Sequence, residues 1–439
     1  MSKSGESVAA SVRVSILIGI FVMLLIVGFS IPSAAGPHTS ATVKQWPIPF
    51  APNELALAPD GTVFFTVPGV AVGRLDPSTN ELTRWNFGAF HLEIGPAISV
   101  VFGGTTFTED YTVAFIRTNG QVRLLLPHSG LFVQWVLPAR SLDITSSGSH
   151  LWVTLFDTVT TEVASLDLAT NVLTRYALPQ ALAGPDGFIH GLSFGDGRLW
   201  YGVTVVDGLL PVVQRTGSLD PATGTAKVWT LFSSPAGVES AIGRTATFAA
   251  GSVWTFYHST DPSLSGVYRL KPDTSTVTFY GAPLGTPGPL GSTPVVERLD
   301  RATKAQGSAW AATGSQETGV ESAKVVRWHP LDSGVKVDVS PEEPAVSVST
   351  ATLTRTVVTV GQSTTTITPE VTTVSGTLAT PNVTIWGFED RSYASRFTIS
   401  HEGVVYFGLA IPSTGEAFLA QLSAGEPSEG QERPGDIDE

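Results

Sequence analysis

Leu55-Ala56-Leu57-Ala58-Pro59-Asp60-Gly61-Thr62-Val63-Phe64-Phe65 is an apolar strand, a Gly-centred turn and an aromatic-led strand in eleven residues. The same grammar returns as Leu192-Ser193-Phe194-Gly195-Asp196-Gly197-Arg198-Leu199-Trp200-Tyr201 and again around Gly251 with Trp254. Weaker copies centre on Gly104, Gly148, Gly307 and Gly403. A tight hairpin needs a residue at positive φ, which Gly adopts cheaply. The following aromatic offers a large apolar surface for packing one sheet on the next. From one turn Gly to the next the intervals are 43, 44, 49, 54, 56 and 96 residues. Strand-only units with a period of roughly 40–50 residues mark propeller blades. The expected fold is all-β: a seven-bladed β-propeller, preceded by an N-terminal hydrophobic helix.

Ring closure is written into the ends of the chain. Thr42-Val43-Lys44-Gln45-Trp46-Pro47-Ile48 reads as the end of a blade without a beginning. The last blade, from Arg396 to about Ser423, lacks an outer strand, so residues 42–48 are expected to complete it and remove an open edge. The propeller then spans residues 36–424. Turns such as Leu75-Asp76-Pro77-Ser78-Thr79-Asn80 and Leu219-Asp220-Pro221-Ala222-Thr223-Gly224 join third and fourth strands. They lack the liganding spacing and closing Glu of a calcium loop.

Three segments lie outside the repeat. Residues 1–35 carry Lys3 and Arg13 ahead of an apolar run from Val14 to Ile31, and small residues follow. They read as a signal peptide or a retained membrane anchor; both export the rest. Residues 340–385, rich in Thr, Val and Ser, lengthen the interval between the sixth and seventh turns. They read as an insertion between those blades, a protruding hairpin on one account and a glycosylated stalk on the other. Asn382-Val383-Thr384 is a glycosylation sequon. Residues 425–439 hold six acids against one Arg and are expected to form a disordered acidic tail.

The net charge of −13 and the lack of any basic patch exclude a nucleic-acid partner. With no cysteine, neither disulfides nor thiol chemistry is available. Counting seven residues back from each turn Gly gives Glu54, Ala97, Ser141, His190, Arg244, Asp300 and Arg396, at the start of the innermost strands. Five of these seven carry charge in a chain where charge is sparse. The column reads either as a polar binding mouth on the ring axis or as internally paired groups filling the channel. Gly191-Leu192-Ser193-Phe194-Gly195 matches a serine-hydrolase elbow, but Ser193 falls inside a strand, where that elbow cannot form. The histidines other than His190 show no metal-ligand spacing.

Ala58-Pro59-Asp60-Gly61 with Val72-Gly73-Arg74-Leu75-Asp76-Pro77, and Ile189-His190-Gly191-Leu192 with Asp196-Gly197-Arg198-Leu199-Trp200, carry a family likeness. The repeat resembles the streptogramin lyase (virginiamycin B lyase) family of seven-bladed propellers, over residues 42 to 424 apart from the insertion. That resemblance implies a magnesium-assisted elimination opening a cyclic depsipeptide, with His and Glu residues holding the metal and moving the proton. His190 stands at the matching His position and Glu109 at the matching Glu, with Gly103 setting the register. Elsewhere the family's Glu is replaced, and Phe188 stands where a further Glu is expected. The expected role is therefore an exported cell-surface binding or structural protein without a cofactor. It would be tied to the membrane through its N-terminal segment and take a cell-surface protein or glycan as partner. Two rivals are a divergent lyase or hydrolase at the channel mouth, with His190 and Glu109 catalytic, and a sugar-binding module with exposed aromatics on one face.

Overall fold

A computed structural model of the chain describes residues 39–117, 119–156, 161–178, 188–205, 213–233, 240–241, 246–249, 251–259, 266–281, 295–296, 309–314, 322–328, 335–380, 383–389, 393–394, 398–400, 404–411 and 414–424. Within them every regular element is a strand and every pairing is antiparallel, an all-β arrangement consistent with a β-propeller. Residues 1–35, the acidic tail, Arg244, Asp300, Arg396 and Asn382 lie outside the described residues. No helix among the described residues is long and apolar enough to cross a membrane.

Five sheets are built on four-stranded meanders in sequence order. The first runs Leu55–Leu57, Val63–Val67, Ala71–Asp76, Glu81–Trp85. The second runs His91–Gly95, Thr112–Arg117, Gln121–Leu126, Leu131–Val136. The third covers Ile144–Ser147 to Val172–Ala177, the fourth Phe188–Gly195 to Thr225–Ser233, and the fifth Ser240–Ala241 to Thr276–Gly281, its inner position shared by two short strands, Ser240–Ala241 and Ala246–Ala249. A ten-stranded sheet holds the remainder, including both ends of the repeat. Thr39–Ile48 pairs there with Glu416–Ala424, Trp46 opposite Leu419, and Trp46 shares a core cluster with Tyr406.

The turn chemistry read from sequence takes a specific form. Asp196 and Gly197 both have positive φ, at 53° and 70°, as a two-residue hairpin turn requires. Gly73 has a different cause. It pairs with Phe65, and a Cβ there would lie 2.1 Å from the ring. Gly217 faces Tyr201 in the same way at 2.3 Å. A Gly on the third strand therefore accompanies an aromatic on the second.

In the third-to-fourth-strand turns the Asp carboxylate accepts backbone N–H bonds two and three residues on. For Asp76 these come from Ser78 at 2.9 Å and Thr79 at 3.3 Å. The fourth residue after the Asp is left-handed: Asn80, Asn171 and Gly224. Two of these side chains reach into the neighbouring sheet's last strand. Trp46 Nε1 donates to Asn80 Oδ1 at 2.9 Å, and Trp135 Nε1 to Asn171 Oδ1 at 3.0 Å. Trp229 does the same to Ser275 Oγ at 3.3 Å, Ser275 also being left-handed. One repeated turn residue thus fastens each of these sheets to the next.

Two expectations are corrected. Gly104 does not mark the second unit's first hairpin. Ile98–Phe102 and Thr105–Glu109 form a separate two-stranded sheet, inserted between His91–Gly95 and its partner Thr112–Arg117. The Gly103-Gly104 pair, both at positive φ, makes a genuine hairpin turn that imitates the repeat. Ala97 therefore precedes that extra hairpin rather than opening an inner strand.

The Thr/Val/Ser-rich stretch neither protrudes nor falls between two units. It leaves Ser322–Trp328 and lies on the outer edge of one sheet after another, in reverse order. Val335–Asp338 pairs with the fifth meander, Glu342 bridges Val228 of the fourth, and Ser347–Thr352 pairs with the third. Thr356–Thr359 then pairs with the second, Gln362–Thr366 with the first, and Glu370–Thr380 with Thr39–Ile48. Finally Val383–Glu389 returns to pair with Ser322–Trp328, the strand from which the stretch set out. Extended β-branched chain is the right material, because each fourth strand otherwise presents an unpaired row of N–H and C=O groups.

This belt has its own period. Val339, Val346, Leu353, Val360, Ile367 and Val374 stand seven residues apart, all half-buried. Each packs against a different core cluster; five of the clusters join two neighbouring sheets, and that of Val374 lies within the ten-stranded sheet. Leu353, for example, packs on residues of the second and third meanders, among them Leu124 and Val153. One apolar side chain plugs each junction. Gln362 adds a polar plug: its Oε1 accepts Trp85 Nε1 at 2.9 Å, beside Gly130, which offers no side chain for that bond.

Candidate functional site

The start of the first meander carries Glu54, only 4% exposed. Its Oε1 lies 2.6 Å from His91 Nδ1, and its Oε2 accepts the Leu92 N–H at 3.0 Å. Both partners belong to the second meander, so the carboxylate stitches two inner strands together. Burial without partners would be costly, and the backbone N–H supplies one of them.

Ser141 is buried, and its hydroxyl donates to the Asp143 carbonyl at 3.3 Å. The stitching group here is Asp143, two residues later. Its Oδ2 accepts the N–H groups of Gly191 at 2.7 Å and Leu192 at 3.3 Å, from the fourth meander. Those N–H groups are available because the pairing of Phe188–Gly195 slips between His190 and Ser193, where Gly191 has φ of 63°. The His190 backbone pairs with Gly202, immediately before that slip. Ser193, inside the strand, accepts the Phe248 N–H at 3.0 Å from the fifth meander.

Glu109, 2% exposed, is on the second strand of the extra hairpin. Its carboxylate contacts His128 Nδ1 and accepts the Ser129 N–H at 3.0 Å. Tyr111 lies edge-on to His128 and donates to Asp60 Oδ2 at 2.7 Å. Burial, with Asp60 adding to it, pushes the Tyr111 hydroxyl up to about 12. Partial burial works against ionisation of Asp60, but hydrogen bonds from Thr62 and Tyr111 outweigh it and hold the carboxyl below its ordinary value.

The register separates these groups. In the second meander His91 begins the inner strand, whereas the turn carrying His128 follows Leu126 at the other end, beside the Val113–Ile94 pair. Glu54 and Glu109 thus serve opposite ends of that sheet. Glu109 meets the turn at His128 and Ser129. No group of three or more His, Asp or Glu residues that could hold a metal ion occurs among the described residues. Sequence counting missed Asp143, His91 and His128, whose partners lie 48, 37 and 19 residues away. Only a correct inner-strand register would have revealed them.

The acidic groups make the fold sensitive to low pH. Hydrogen bonds from Thr170 and Ala169 hold the Asp167 carboxyl below its ordinary value, and Asp60 and Asp76 are lowered too. The unfolded chain therefore binds more protons than the folded one below about pH 4, and stability falls as pH drops through that range. Urea midpoints are expected to be flat in these terms above about pH 5 and to decline toward pH 2. The decline should be shallower in an Asp76→Asn/Asp167→Asn variant, in which the Asn side chains still close the turns.

No family model matches the chain, and no curated protein does. Among solved structures, an iodide structure of a Trichoderma reesei protein of Carbohydrate-Active Enzymes Family AA12 is similar at 13% identity, covering 87% of this chain and 96% of that one. Its TM-score of 0.31 is too low to carry any argument.

Proposed function

We propose that the chain is an exported, seven-bladed β-propeller serving as a binding or structural protein at the cell surface. The observation that carries this reading is the use of the buried inner carboxylates. Glu54 and Asp143 accept backbone N–H groups of the adjacent meander, so they act as ring fasteners.

The seven-blade count draws support from the order of contacts. Inner strands touch in succession from Leu55–Leu57 through His91–Gly95, Ile144–Ser147, Phe188–Gly195, Ala246–Ala249 and Val295–Val296, and Thr398–Ile399 touches Leu55–Leu57 again. The run from Val14 to Ile31 serves as the export element, as a cleaved signal or an anchor. A cell-surface protein or glycan is the partner this reading implies.

Two measurements test it. Protease treatment of intact cells should degrade the chain without lysis; full protection would overturn export. Purified protein with Mg²⁺ should leave a cyclic depsipeptide lactone closed. Ring opening that vanishes with chelator and in His190→Ala would replace the binding reading with the lyase-like one.

A further inference from the structure

The belt leaves an edge of its own. Among the described residues, Ser347–Thr352, Thr356–Thr359 and Gln362–Thr366 each end a sheet, paired on one side only. The Leu353 N–H points inward to Asn171 O and the Ile367 N–H to Asn80 O, both at 2.8 and 3.0 Å respectively. Strand alternation therefore turns the N–H groups of Thr350 and Thr364 outward. Every residue of Ser347–Thr352 and Gln362–Thr366 is exposed.

Soluble proteins usually blunt such edges with charge, proline or a bulge. From Ala345 to Thr368 this one has no proline and a single charge, Arg355. An edge carrying almost no charge can meet the same edge of a second copy without opposing like charges, and this self-complementarity identifies the occupant. An antiparallel two-fold pairing would set Thr, Ser and Val of one copy against the same residues of the other.

We propose that the outward edge of the belt pairs with the belt of a second copy, so that the propellers associate rim to rim. This deepens the structural side of the reading above. It fails separately from it, since a surface-exposed monomer would refute the pairing and leave the location intact.

The absence of native cysteine makes the test direct. Thr350→Cys and Thr364→Cys chains, each expressed in cells and taken from both the membrane and the released fraction, are treated with a short bismaleimide. Val101→Cys, on the extra hairpin, serves as the exposed control. A band at twice the monomer mass is expected from at least one belt cysteine and not from Val101→Cys. Adding Thr352→Lys to Thr350→Cys, or Thr366→Lys to Thr364→Cys, should reduce that band about tenfold while thermal melting stays unchanged. No doubled band from either belt position, a doubled band equal to the control, or a cross-link to a different protein would overturn the proposal.

Discussion

A chain in which residues 329–382 are replaced by the four-residue turn Pro221–Gly224 is expected to fold and to melt roughly 10–20 °C below the native protein. The splice is geometrically natural. Trp328 pairs with Val383 just as Asp220 pairs with Thr225 across that short turn. What the deletion removes is the belt: six half-buried apolar plugs, at about 1 kcal/mol each for partial burial, and a bonded partner for the outer edges. The exposed fourth strands should also promote aggregation. Differential scanning calorimetry at several protein concentrations separates lost stability from aggregation. A melting temperature within about 2 °C of native would mean that the belt decorates the ring without supporting it. Leu353→Ala offers a milder version, with about 1–2 kcal/mol lost at the junction of the second and third meanders.

That belt also shows where sequence reading stopped. The Asp-Pro turns, the aromatic-led second strands and the N-terminal closing strand could all be read, because each rests on local chemistry repeated at blade spacing. The period of Val339, Val346, Leu353, Val360, Ile367 and Val374 was hidden for a physical reason. A strand on one sheet repeats every two residues, which a seven-residue rhythm does not fit, and the β-branched Thr/Val composition argues against the helical heptad that seven otherwise suggests. It becomes intelligible only when the chain steps from sheet to sheet, dropping one side chain into each gap. The extra hairpin failed differently. Gly103-Gly104 meets every local condition of a blade turn, and only the pairing of His91–Gly95 with Thr112–Arg117 exposes it as an insertion.

The polar column was partly legible for a related reason. Glu54 lies where counting back from Gly61 put it, and it is buried as a group at an inner-strand start should be. At the third unit the same count reached Ser141, two residues short of the carboxylate that spans the junction. A side chain's position along its own strand is local. Which N–H groups face it from the next sheet depends on a register slip at His190–Ser193 that no neighbouring residue announces beyond Gly191.

The second large effect is expected at the seam where the two ends of the repeat meet. Trp46 is fully buried, lies in a strand that pairs on both sides, and hydrogen-bonds Asn80 of the first meander. Trp46→Ala should cost about 3–5 kcal/mol through the cavity it leaves, whereas Trp46→Phe should recover most of the packing and lose the bond. Asn80→Gly isolates the bond itself. Glycine keeps the left-handed backbone at φ of 58° without strain, so its cost should be near 1 kcal/mol. Comparing these with Trp135→Ala, the equivalent residue at an internal junction that also bonds a turn Asn, distinguishes a seam from a mere core position. If closure holds the ring together, Trp46→Ala should speed unfolding in urea more than Trp135→Ala does at equal equilibrium loss, because at this seam the belt alone, and not the repeat itself, carries the chain across. Equal unfolding rates would show that the ring opens anywhere along its circumference, and that Thr39–Ile48 is an ordinary strand rather than its clasp.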